Sequence, residues 1–366
     1  MSNIAITGSN GFLGKNLSVY LAGLGFAILP ISHEEKDLAF VLSKADALIH
    51  LAGVNRPKDG DYSLNVSFSQ KIVDALKEKG RKIPVLFASS TQAELDNPYG
   101  RSKKEAEAIL SQLEGYPLYF MRLPNLYGKW GRPNYNSVVA TFCFNVGRGL
   151  PIRVDDPSAE VKLAYVDDVC GLIEDLLPCA EPGVHTFSGG FPVTSVTVGE
   201  LANLIKGFEE SRRRHFVPSL SSAFVKKLYS TYTSYLPLDE LEVGLTTHED
   251  ERGSFTEAFK TEANGQVCVN KIRPGITKGN HFHYLKTERF LVVSGKADIK
   301  MRKVGEKEIA VFHLSGENMA TVDIPTGYTH SITNVGEDEA VVLIWGNGLF
   351  NPSIPDTYAN PVEGGY

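Results

Sequence analysis

Near residue 245 the chain changes rhythm, and no single core accommodates both patterns. Before that point, short apolar runs such as "NIAIT", "FAILPIS", "ADALIHLAG", "VLFASS" and "YFMRLPN" alternate with segments of helical spacing, as in Phe12, Leu13, Leu17, Leu21 and Leu24. Strand and helix in alternation predict βαβ units and a doubly wound parallel sheet. After it, "VCVNKI", "RFLVVSG", "ADIKMR", "MATVDIP", "SITNV" and "AVVLIWG" are short runs divided by Gly, Pro and Asn. These predict a barrel or jelly roll. The expected organisation is an α/β domain over 1–243 and an all-β domain over 244–366, with "LYSTYTSYLPLDELEVG" as the linker. A chain of 366 residues is long enough for two cores at about 100–200 residues each.

The first turn carries the first chemical signal. "ITGSNGFLGKNL" places Gly8, Gly11 and Gly14 between a strand and a helix, where bare backbone can approach a pyrophosphate and free helix amides can hold it. Ligands of such sheets bind at the carboxyl ends of strands, which gives weight to "HLAG" at 50–53, to Ser89 and Ser90, and to Asn125. In "NPYGRSKKEAE", Tyr99 and Lys103 stand four apart on one helix face. An ammonium beside a phenol lowers the phenol pKa toward the working range, so the pair, with Ser90, can move a proton to or from a substrate oxygen.

Composition excludes several classes. A net charge of −6 argues against a nucleic-acid or anionic-membrane partner. Arg212, Arg213 and Arg214 read as a solvated helix end. "MSNIAITGSN" has no basic then apolar leader, and no run reaches the roughly 18–20 apolar residues of a membrane span, so a cytoplasmic location is expected. Cys143, Cys170, Cys179 and Cys268 form no Cys-x-x-Cys pair, which argues against disulfides and thiolate zinc.

With these residues together, positions 1 to about 240 resemble the extended short-chain dehydrogenase/reductases that act on nucleotide sugars, a Rossmann-like family; "YVDDV" at 165–169 adds to the match. The resemblance implies a nicotinamide coenzyme on Gly8, Asn10, Gly11, Phe12, Leu13, Gly14, His33, Leu51, Ala52, Gly53, Tyr99 and Lys103. It further implies catalysis by Ser90, Tyr99 and Lys103, with Asn125 and Arg132 toward the sugar nucleotide. The stretch "SSTQAE" lacks the Asp-Glu pair of the 4,6-dehydratases, so dehydration is disfavoured. "PISHEE" has no acid at the strand tip to take a ribose 2′-hydroxyl, which favours NADP(H), with Ser32, His33 and Lys36 as 2′-phosphate neighbours; Glu34 and Glu35 weigh against it.

In the second half, His281 and His283 can share a face only on an extended strand. "GITKGNHFHYLKTERFLVVSG" fits G-x5-H-x-H-x4-E-x6-G, and "PTGYTHSITN" fits P-x-G-x2-H-x3-N. These two stretches resemble the cupin motifs, which imply a jelly roll with a divalent metal, zinc foremost, held by His281, His283, Glu288 and His330. Three imidazoles and a carboxylate suit such an ion. "DERGSFTE" at 250–257 also resembles the nucleotide-sugar 3,5-epimerases, cupins in which a histidine acts as base without metal. In that alignment His281 is the base, and Arg252, Phe255 and Glu257 line the substrate entrance.

The whole chain resembles one bifunctional family of capsular polysaccharide biosynthesis. The match is carried by "GKWGRPNYNSVVATFC", "LYSTYTSYLP", "DERGSFTE", "RPGITKGNH" and "DIPTGYTH". The resemblance implies that the cupin epimerises C3 of a UDP-2-acetamido-2,6-dideoxy-4-hexulose. The reductase domain then reduces C4 with NADPH, giving UDP-2-acetamido-2,6-dideoxy-L-talose on the way to UDP-N-acetyl-L-fucosamine. A homodimer is implied as well. The alternatives are a ketosugar reductase with a non-catalytic structural or dimerising cupin lobe, an NAD-retaining epimerase, and a cupin oxygenase.

Overall fold

The computed structural model describes residues 2–57, 59–349, 351–353 and 355–364. The chain packs as two units, Met1–Gly207 with Ala223–Leu238, and Phe208–Ser222 with Asp239–Tyr366.

In the first unit, β1 (Asn3–Thr7), β2 (Ala27–Ile31), β3 (Ala47–His50), β4 (Val85–Ser90), β5 (Pro117–Leu123) and β6 (Gly183–Phe187) form one sheet in the order β2-β1-β3-β4-β5-β6. Every neighbouring pair is parallel. Side chains alternate between two cores: Leu48, Val85, Phe87 and Phe120 enter one, and Ile4, Ile49, Leu86 and Met121 the other. This is the doubly wound arrangement expected of strands apolar on both faces. Pro30 lies in β2 at the sheet edge, where a strand tolerates a missing amide donor. Three helices matter for the site: α1 (Phe12–Gly23), α2 (Ser63–Lys79) and α3 (Pro98–Leu110). The strand order reverses between β1 and β3, which opens a crevice at their carboxyl ends.

The stretch read as a linker is mostly core of this unit. Leu228 and Tyr232 are buried on the helix Ala223–Thr233, and the Tyr235 hydroxyl is bonded to the carbonyl oxygens of Gly128 (3.2 Å) and Gly131 (2.9 Å). Its aromatic residues are spaced to bury one face, which a free linker does not need.

The second unit is built from antiparallel strands in two sheets, one of six strands and one of five. The first runs from Thr247–Asp250 through Gly253–Thr261, β7 (Gly265–Ile272), Ala340–Gly346 and β9 (Glu288–Ser294) to Thr321–Ile324. The second orders Ile309–Ser315, Lys296–Lys303, β10 (Tyr328–Asn334), β8 (Thr277–Phe282) and β11 (Tyr358–Ala359). Ile272, Phe290, Val292 and Val342 of one sheet meet Ile299, Met301 and Ile332 of the other in a shared core, a cupin-like jelly roll. Residues of 208–222 join this body through Val217 N–H to Lys260 O (2.7 Å) and Lys260 N–H to His215 O (3.1 Å).

Candidate active site and metal centre

The glycine turn leaves no room for side chains. Gly8 has φ +70°, and a Cβ there would lie 2.7 Å from the Ala52 nitrogen. A Cβ on Gly14 would lie 2.1 Å from the Gly8 carbonyl oxygen. Gly11 begins α1 without a side-chain cap, and the first turn holds no acid, so its amides stay open to an anion. The cradle therefore fits a dinucleotide pyrophosphate, with Phe12 and Leu13 packed beneath on the core. Gly14→Ala should force α1 off the turn; overpacking of this kind costs about 1–3 kcal/mol, so coenzyme affinity measured by fluorescence titration should fall by roughly 10-fold or more.

Two buried polar residues that sequence reasoning missed hold the strand ends together. Thr7 Oγ1 accepts the amides of Leu51 and Ala52 at 3.1 Å each and bonds His50 Nδ1 at 2.7 Å. His50 is pushed down to about 3 by burial and the nearby Lys103, so it stays neutral. Asn65, on α2, accepts from Val54 N–H (2.7 Å) and donates to Val54 O (3.0 Å) and Ser102 Oγ (3.0 Å). Ser102 in turn donates to the Tyr99 carbonyl at 2.8 Å, linking the "HLAG" loop to α3. The available signal was Asn65 and Ser69, four apart beside Phe68, Ile72 and Val73 on an otherwise apolar helix face.

Asn97 caps α3 by accepting from Gly100 N–H at 2.8 Å, with Pro98 next, and this start puts Tyr99 and Lys103 one turn apart. Ser90, at the end of β4, favours the ionised form of the Tyr99 hydroxyl. The adjacent Ser89 is taken by Glu107 (2.5 Å), which Arg122 grips through Nη2 at 2.8 Å. The expected lowering of the Tyr99 pKa by Lys103 is not what the geometry gives. Burial raises the phenol, and Ser90 only partly offsets this. Lys103 Nζ turns away to the Ala88 carbonyl (2.7 Å) and lies 4.7 Å from the Phe87 ring centroid. Burial lowers the ammonium to about 8, with Glu107 opposing. Nζ is 3.2 Å from where a Cβ on Gly53 would sit, so that glycine keeps space beside the ammonium. Of the other residues, His33, Asn125 and Arg132 are exposed; His33 lies 3.8 Å from Glu34 and Arg132 lies over the Tyr135 ring at 5.2 Å.

In the barrel, β8 pairs with β10 so that His281 faces His330 across a register shift between Gly279 and His281. One ligand atom from each of His281, His283, Glu288 and His330 lies within 4.8 Å of the others. Glu288 Oε2 is 3.4 Å from Nε2 of both His283 and His330, and Oε1 is 2.8 Å from Lys286 Nζ. Burial opposes ionisation of Glu288, but His283, His330 and Lys286 beside it outweigh this and hold the carboxyl far below its usual range. Burial, with His330 and His283 beside it, brings His281 down to about 4. His283 Nε2 and His330 Nδ1 are buried without a hydrogen-bond partner. Orphaned imidazole nitrogens beside an ionised carboxylate are what a divalent ion would satisfy, so the residues fit one.

Arg252 is exposed and paired with Asp250 at 2.6 Å, while Glu257 is half-buried, 3.3 Å from Lys260. Arg252 and Phe255 line a cavity of about 310 Å³; Asn270 and Lys278 also line it, two residues given no role from the sequence. Lys278 Nζ bonds Asn270 Oδ1 at 2.8 Å, and burial lowers the ammonium from its ordinary value.

Known proteins share this whole plan. Residues 4–181 match the NAD dependent epimerase/dehydratase family, and residues 248–358 match the polysaccharide biosynthesis C-terminal domain. The UDP-2-acetamido-2,6-beta-L-arabino-hexul-4-ose reductase of Pseudomonas aeruginosa is 40% identical over 99% of each chain. The capsular polysaccharide assembling protein CapF of Staphylococcus aureus superimposes with a TM-score of 0.90 at 45% identity, covering 98% of this chain and 100% of that one. The chain belongs to the CapF family of nucleotide-sugar reductases. A second CapF structure, solved with the inhibitor 3-isopropenyl-tropolone, gives a TM-score of 0.83 at 41% identity over 98% and 99% of the two chains. Membership in the CapF family implies a nicotinamide coenzyme for the first unit. Among the described residues, no helix is long and apolar enough to cross a membrane.

Proposed function

We propose that this protein is a bifunctional, NADPH-dependent enzyme that epimerises C3 of a UDP-2-acetamido-2,6-dideoxy-4-hexulose in its barrel and then reduces C4 in its first unit. The product would be UDP-2-acetamido-2,6-dideoxy-L-talose, bound for UDP-N-acetyl-L-fucosamine and capsule synthesis. The observation that carries the reading is the presence in one chain of two separate proton-handling sets. One is Ser90, Tyr99 and Lys103 beside a glycine cradle; the other is half-buried His281 with buried His283, Glu288 and His330. The name of the P. aeruginosa relative supports the reductase half and the 4-keto sugar class.

The chemistry needs both. A C4 carbonyl acidifies the C3 proton, because the carbanion delocalises as an enolate; a neutral imidazole such as His281 can take that proton, and a solvent-derived proton delivered to the opposite face inverts C3. His283, Glu288 and His330 would hold a divalent ion, zinc by donor set, which supplies Lewis acidity toward the developing oxyanion. In the first unit, Gly8, Gly11, Gly14, Ala52 and Lys103 would hold the NADPH that supplies the hydride. Tyr99, kept protonated by its burial, then gives its proton to O4 while Ser90 orients that oxygen. The absence of an acid at the tip of β2 supports NADPH over NADH, and the family pattern supports a homodimer.

The test is proton NMR of the UDP-4-keto-6-deoxy-N-acetylhexosamine with the protein in D₂O, first alone and then with NADPH. The C3 signal should vanish before coenzyme is added, and C4 reduction should follow. Persistence of the C3 proton while NADPH is consumed would leave a plain ketosugar reductase. Reduction should also weaken as pH rises through about 8, because Lys103 then loses the charge that binds coenzyme. Burial depresses that pKa, so the cost of burying charged Lys103 is fully present below about 8 and is relieved between about 8 and the unfolded value of 10.5. Activity and Lys103's contribution to stability should therefore move in opposite directions with pH, read from kcat/KM and melting profiles.

A further inference from the structure

The last described residues close the metal cluster from behind. β11 adds to β8 with Ala359 opposite His281 and Tyr358 opposite Phe282. Just before it, the Asp356 carboxylate accepts three successive amides, of Tyr284 (2.9 Å), Leu285 (2.8 Å) and Lys286 (2.7 Å). The backbone carbonyl of the same residue is hydrogen-bonded to His283 Nδ1. Asp356 thus holds both a ligand's ring and the loop leading from that ligand to Glu288.

Arg302 pins the same segment from the barrel side. Only 2% exposed, it donates to Val362 O (2.9 Å), Pro361 O (2.9 Å) and Asn360 Oδ1 (2.7 Å), and also to Glu306 O (2.9 Å). These acceptors are neutral oxygens, and a buried guanidinium satisfied in this way holds several chain segments at fixed positions.

A carbonyl oxygen can only accept, so His283 Nδ1 carries the proton and Nε2 the lone pair. Nε2 is the buried nitrogen without a hydrogen-bond partner, 3.4 Å from Glu288 Oε2. We infer that residues 355–363 are part of the metal centre, with Asp356 the positioning residue that sets the tautomer and aim of His283 and Arg302 the anchor that holds Asp356 in place. The inference rests on the metal reading of the cluster. Outer partners of metal-bound histidines act in this manner, and losing one costs roughly 10–100-fold in affinity.

The test uses the full chain. Zinc affinity is measured by competition with a chromophoric chelator, and the His283 tautomer by ¹⁵N NMR of histidine-labelled, zinc-free protein. The unaltered chain should bind zinc and show the proton on Nδ1 of His283. Asp356→Ala should bind zinc roughly 10–100-fold more weakly, with circular dichroism unchanged and His283 redistributed between tautomers. If Asp356→Ala does not fold, Asp356→Asn, which keeps an acceptor for the amides, should show a smaller shift in the same direction. Arg302→Met should weaken zinc binding as well. A folded Asp356→Ala or Asp356→Asn chain that binds zinc as tightly as the unaltered one overturns the positioning role while leaving the metal reading intact. A proton on Nε2 of His283 in the unaltered chain overturns it too. Failure of the unaltered chain to bind zinc removes both readings.

Discussion

Tyr99→Phe is expected to lower C4 reduction by roughly 100- to 10,000-fold, the range that a positioned general acid contributes. The change removes one hydroxyl and keeps the ring beside Tyr62, 5.8 Å away between centroids. The fold should therefore lose no more than about 1 kcal/mol, the net worth of one hydrogen bond. Burial already keeps the phenol protonated, so the loss should be in kcat at every pH where the enzyme works. Deuterium entry at C3 should continue at the unaltered rate, because that step is assigned to the barrel. The measurement is single-turnover NADPH oxidation beside proton NMR; a variant that reduces normally would remove Tyr99 from the reaction.

His283→Ala should have the converse effect. It deletes one of the four candidate ligands and the group that joins Glu288 to Asp356, so zinc affinity should fall by more than the roughly 10–100-fold cost of losing an outer partner. C3 exchange should drop to background, and dialysis against a chelator should do the same to the unaltered chain. Reduction of a ketone already inverted at C3 should survive both treatments. Zinc should also raise the melting temperature of the unaltered chain and not of the variant, since a ligand bound only to the folded state stabilises by mass action. Exchange that persists without metal would return His281 to the metal-free base role.

Much of this was legible in residue order, for a physical reason. The glycine turn, the Tyr99 and Lys103 pair on one helix, and the His281 and His283 pair at the end of β8 are local patterns that short-range spacing reveals. The supporting shell lay out of reach because its partners are distant in the chain. Asp356 meets Tyr284, Leu285 and Lys286 from 70 or more positions away, and Arg302 meets Val362 across 60. Thr7 and Asn65 were hidden differently, since polar residues in apolar runs look like noise until their partners are seen. The sign of the Tyr99 shift failed because spacing on a helix fixes which face a side chain shares, and not where a long lysine ends. Nζ found the Ala88 carbonyl.

The passage of residues 208–222 into the second unit, before the chain returns at 223–238, has a consequence for taking the molecule apart. A protease nick or gene truncation at one bond yields two pieces, and no single bond sorts the residues into these two units. Cutting after 243 strips the barrel of His215 and Val217, which bond Lys260. Cutting after 207 deprives the dinucleotide fold of Tyr235, whose hydroxyl holds Gly128 and Gly131. The two units are thus inherited as one interlaced polypeptide, and loss of either by deletion should harm the other.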